Sequence, residues 1–105
     1  MKITELMKAL SGMKQKLEEL QEKLADITVK GTSGGGVVNV TVNCKQELLD
    51  IKLDPSLFDP PDRELIEDLV IAAVNDAIKK STEKAAEQFS SVLGGIDPSI
   101  LKGLL

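Results

Sequence analysis

Residues 27–57, ITVKGTSGGGVVNVTVNCKQELLDIKLDPSL, decide how this chain folds. They hold three runs of period-two alternation: Ile27 and Val29, then Val38, Val40 and Val42, then Leu49, Ile51 and Leu53. Alternate side chains of a strand share a face, so each run offers one apolar face and one polar one. Thr28 and Lys30, Asn39, Thr41 and Asn43, and Asp50 and Lys52 fall on the polar side. Short turn-rich links join the runs, which predicts a three-stranded antiparallel meander with one wet face, at about 27–31, 37–43 and 48–54. A sheet this small cannot close a core alone, so the long amphipathic segments on either side must cover it.

Upstream, Ile3, Leu6, Leu10, Met13, Leu17, Leu20, Leu24 and Ile27 recur at alternating spacings of three and four, a heptad seam on a helix over 3–26. Lys14 at e and Lys2, Lys16 and Lys23 at g flank the seam with no acid among them. A parallel zipper would therefore lack cross-strand ion pairs, and an antiparallel helix of the same chain is the better partner. Gly12 lies off the seam, where glycine costs about 1 kcal/mol of helix propensity, and the sequence offers no reason for it.

Downstream, Asp59 is the expected N-cap and Pro60 the first residue of a second helix over 60–93. The acids Asp62, Glu64, Glu67 and Asp68 suit the start of that helix, where its dipole favours negative charge, better than they suit a metal. Leu65, Ile66, Leu69, Val70, Ala73, Val74, Ala77 and Ile78 wrap more than half of its circumference. A helix apolar on two sides needs cover on two sides: the sheet, and the same helix of a second subunit. Leu69, Val70, Ile71, Val74 and Ile78 are the expected dimer interface. Ser81, Ala85, Phe89 and Val92 form a thinner stripe suited to the first helix. Gly94 and Gly95 stop the helix, leaving an apolar tail at 94–105 that can dock elsewhere.

The chain has 105 residues, one domain over 1–105, and 42% of them are hydrophobic but only 2% aromatic, which leaves little surface for stacking single-stranded bases. No apolar run reaches the roughly 20 residues that span a bilayer, and no secretory signal is expected at the N-terminus. One cysteine, Cys44, excludes an internal disulfide and suits a reducing cytoplasm. With no histidine in the chain the thiol lacks its usual activating base, so Cys44 reads as a bystander in the second turn. Gly31 to Gly36 lacks the Lys-Ser or Lys-Thr of a phosphate loop and leads into a strand, so it reads as a plain hairpin loop. No catalytic acid-base pair or nucleophile is identifiable, and neither a cofactor, a metal nor a small-molecule substrate is expected.

Several of these pieces together resemble the YbaB/EbfC family of bacterial nucleoid-associated proteins. They are the N-terminal Leu/Met/Lys/Gln helix, GTSGGGVVNVTVN, LLDIKLDPSLF and LIEDLVIAAVNDAIKKS, spread over nearly the whole chain. The resemblance implies an α+β fold of order α-β-β-β-α, a tweezer-like homodimer, binding of duplex DNA by the helical arms, a place in the cytoplasm at the nucleoid, and no catalysis. The family usually has glycine after the asparagine of the second turn, where Cys44 stands here; an Asn-Gly turn would suit that position.

The formal net charge of -4 argues against a nucleic-acid binder until its distribution is considered. From Glu47 to Asp76 nine acids face Lys52 and Arg63, a balance of -7, so the rest of the chain carries +3. Helices of about 36 Å and 45 Å must overhang strands of about 20 Å. Lys2, Lys8, Lys14 and Lys16 against Glu5 are expected on one overhang, and Lys79, Lys80 and Lys84 against Glu83 on the other. The candidate DNA contacts are therefore Lys8, Lys14, Lys16, Lys79, Lys80 and Lys84, acting mainly on phosphates. Lysines flanking an apolar seam or closing a helix C-terminus would look the same. The competing plan is a prefoldin-like chaperone or protein-interaction module, which also joins two helical arms through hairpins.

Overall fold

A computed structural model describes residues 2–93; the expected tail at 94–105 lies outside the described residues. The order is helix α1 (Ile3–Asp26), strands β1 (Thr28–Ser33), β2 (Val38–Asn43) and β3 (Leu48–Leu53), a 3-10 turn (Pro55–Leu57) and helix α2 (Arg63–Leu93). This is the α-β-β-β-α order expected. The strands form one antiparallel sheet in the order β1-β2-β3, with Val40 opposite both Gly31 and Ile51. A register shift between Thr41 and Val42 brings Leu48 opposite Val42.

One face of the sheet is dry. Val38, Val40 and Val42 of β2 are buried there with Leu57, Ala73 and Ala77, and Val29, Leu53, Ile66, Leu69, Val70 and Val74 pack around them. Lys30, Asn39, Thr41, Asp50 and Lys52 line a shallow depression on the other face, the polar side of the alternation.

The glycine-rich segment divides into two parts with different jobs. Gly31 belongs to β1, and a Cβ there would collide with the Ala73 carbonyl oxygen and the Ala77 amide, so its bareness lets α2 lie directly on the strand. Ala73, Ala77 and Ser81, all fully buried, are the matching small residues on α2. Only Gly34, Gly35 and Gly36 form the turn, each at positive φ, the region L side chains avoid. The expectation of one loop from Gly31 to Gly36 is corrected accordingly.

Asp62, not Asp59, caps α2. Its carboxylate accepts from the Leu65 amide at 3.1 Å, and the helix starts three residues later than expected. The reason is local: Asp54 caps the 3-10 turn through the Ser56 amide, and a bridge between Phe58 and Pro61 closes a tight turn at residues 59 and 60 that the helix can only follow.

α2 lies mainly across β1 and β2. Asp76 accepts from the Thr32 amide at 3.0 Å, and the Lys80 ammonium donates to the Lys30 carbonyl, so this flank of the helix is clamped to the free edge of β1. Past Ser81 the helix leaves the sheet. Gln46, in the β2–β3 turn, donates to the Thr82 hydroxyl, and a second small core joins Leu20 and Leu24 of α1 to Cys44 and Ala85, with Ile27 and Phe89 beside them.

Candidate nucleic-acid interface

The two expected overhangs are one structure. α1 and the last third of α2 run antiparallel from the same end of the sheet, Leu24 near Ala85 and Leu17 near Val92. They make a two-helix arm, and α1 runs some 14 residues, about 21 Å, beyond the point where Val92 meets it. The molecule is accordingly 70 Å long and only 22 Å by 17 Å across, with a radius of gyration of 18.9 Å against about 13 Å for a compact chain of this size.

The six candidate lysines divide along this arm. Lys8 and Lys16, two helical turns apart with Gly12 between them, border a groove of about 330 Å³ that also includes Ala9, Met13, Leu17 and Val92. Lys14 falls on the opposite flank of the seam. All three are exposed. Lys84 lies just beyond the sheet, 3.5 Å from Glu87, a second acid on this stretch of α2 besides Glu83. Lys80 is not on the overhang as expected: it sits over β1, 2.9 Å from the Asp76 carboxylate. Lys79 is its exposed neighbour. Set against Glu83 and Glu87, the lysines of α2 leave that helix far less basic than residues 2–16 of α1, where four lysines face Glu5 alone.

The remaining perturbed groups serve structure. The Lys80 hydrogen bond and then the Thr32 amide hold the Asp76 carboxyl below the usual carboxylate range. Hydrogen bonds from Ser56 do the same for Asp54. Burial pushes the Cys44 thiol up, against the pull of nearby Lys84. Cys44 is thus no bystander: it is a core residue, and its amide donates to the carbonyls of Leu24 and Ile27. The positive φ of this turn falls on Gln46 instead, so a glycine at position 44 would remove core contacts without relieving the turn.

The expected interface residues of α2 also divide. Leu69, Val70 and Val74 pack against the chain's own core. Ile71, 58% exposed, and Ile78 lie on the flank away from the β1 clamp. β3 is bare on the dry side, with Leu49 54% and Ile51 42% exposed. Its apolar row was legible; that α2 would sit over β1 and leave it open was not. Among the described residues no group of three or more His, Cys, Asp or Glu is arranged to hold a metal, and no helix is long and apolar enough to cross a membrane.

The chain is 42% identical over 96 residues to a nucleoid-associated protein of Syntrophobacter fumaroxidans, covering 91% of this chain and 87% of that one. It is 45% identical over 92 residues to another of Granulibacter bethesdensis, covering 88% and 86%. The crystal structure of an uncharacterized protein from Helicobacter pylori superposes with a TM-score of 0.78 at 34% identity, over 90% of this chain and 99% of that one. The model of the YbaB/EbfC DNA-binding family matches residues 1–96, and with relatives 42% and 45% identical over about nine-tenths of the chain this places the chain in that family.

Proposed function

We propose that this protein binds duplex DNA at the nucleoid, as a homodimer, through its two-helix arms and without catalysis. One observation carries the reading: a protein of net charge -4 projects residues 2–16, with four lysines and one acid, on a stretch of α1 that runs past the reach of α2 and well clear of the acidic sheet region. Lys8, Lys14 and Lys16 supply most of the contact. Lys84, Lys79 and Lys80 contribute at the root of the arm, with Lys80 held back by Asp76. Lysine ammonium groups without an aromatic wedge or recognition helix meet phosphates, so binding is weakly sequence-specific and alters DNA chiefly by bringing segments together.

The second subunit covers the bare apolar strip formed by Ile71 and Ile78 with Leu49 and Ile51. Two arms then project from one dimer, the tweezer-like arrangement. The names of the bacterial relatives, nucleoid-associated proteins, support the same setting.

A chaperone-like reading draws on the exposed seam residues Ile3, Leu6, Leu10 and Met13, which an arm holding unfolded clients would present. Charge reversal separates the two. Lys8, Lys14 and Lys16 changed together to Glu abolish duplex binding at unchanged helix content if the proposal holds, while Lys52→Glu on the sheet's wet face has little effect. Duplex binding that survives the triple reversal, or client binding without duplex binding, refutes it.

A further inference from the structure

We infer that the apolar end of the chain, residues 96–105, docks in cis in the groove on α1 between Lys8 and Lys16. α2 covers the α1 seam only from Leu24 to about Leu17, where Val92 forms the end wall of the groove. Beyond that point Met13, Leu10, Leu6 and Ile3 of α1 are exposed although their spacing is that of a buried seam. The remaining chain starts at this very place. Gly94 and Gly95 permit a reversal, and Ile96, Ile100, Leu101, Leu104 and Leu105 follow at spacings that bring them to one face. The uncovered length of α1, about 21 Å, is within reach of ten residues, which span about 15 Å as a helix and over 30 Å when extended.

Gly12 gains a role here. Nothing lies within 4 Å of where its Cβ would be, so it keeps the groove open at the cost of helix propensity. Charge favours the tail over a second copy of α1. Two such helices side by side would oppose lysine to lysine, whereas the tail offers Asp97 to the rim formed by Lys8 and Lys16 and carries one cation, Lys102.

The test is amide exchange on the full chain. Exchange at residues 6–17 is expected to be at least tenfold faster in the double variant Ile100→Asp, Leu101→Asp than in wild type, with residues 20–24 unchanged. In the reverse direction, Gly12→Leu fills the groove with a good helix former, and the expected result is faster exchange at residues 99–105. Equal rates at 6–17 with and without the tail substitutions overturn the docking. So does a Gly12→Leu chain whose tail exchanges as in wild type. Protection at 6–17 that disappears on dilution of the wild type assigns the groove to a second copy and overturns the cis assignment.

Discussion

Gly31 bears more on the fold than its neighbours in the glycine-rich run. Its missing Cβ is what allows the backbone of α2 at Ala73 and Ala77 to touch β1, so Gly31→Ala must push the helix off the strand. Overpacking of this kind costs about 1–3 kcal/mol; a lower urea midpoint at unchanged slope is the expected result, while alanine at the exposed Gly35 disturbs only the turn. Cys44 calls for a different test. Its thiol is buried and pushed toward the protonated form, so alkylation at pH 8 is expected to run far slower than for a free cysteine and to speed up on unfolding. Cys44→Ser places a hydroxyl among Leu20, Leu24 and Ala85 and costs about 1–3 kcal/mol in urea unfolding. The sequence shows both residues as small members of turn-like segments. Their roles come from α2 and α1 returning dozens of residues away, which no local pattern encodes.

At the scale of elements, the two periodicities were legible and their partners were not. Period two gave the three strands within one or two residues at most ends, because the valines of β2 need one dry face. The heptad seam gave α1 from Ile3 to Asp26. How far α2 runs along that seam depends on where it leaves the sheet, and that is set by the small residues Ala73, Ala77 and Ser81 meeting Gly31. The clamp between Asp76, Lys80 and β1 also yields a pH dependence. A carboxylate whose folded pKa is depressed stabilises the fold above its unfolded value, near 3.8, and that contribution is lost as pH falls through the lower folded value. Asp76→Asn should therefore lower stability at pH 7, and the gap from wild type should close below about pH 4. A gap of the same size at pH 7 and pH 2 would remove the charge from the explanation.

For the molecule as a whole, the proposed function has the bare strip on α2 and β3 meet a second subunit and the arms meet DNA. Ile71 and Ile51 are exposed in the single chain, so aspartate at both positions should leave the fold intact and convert a sedimenting dimer to monomer. A dimer that persists would place the interface elsewhere. The arms are tested most directly by the salt dependence of duplex binding. Each phosphate neutralised by a lysine releases a counterion, giving a slope in log affinity against log salt of about 0.9 per contact. Wild type is expected to show a steep linear fall, and the variant with Lys8, Lys14 and Lys16 replaced by Gln a slope shallower by about 0.9 for every lysine that met a phosphate. Identical slopes and affinities for the two proteins would contradict DNA binding by the arm.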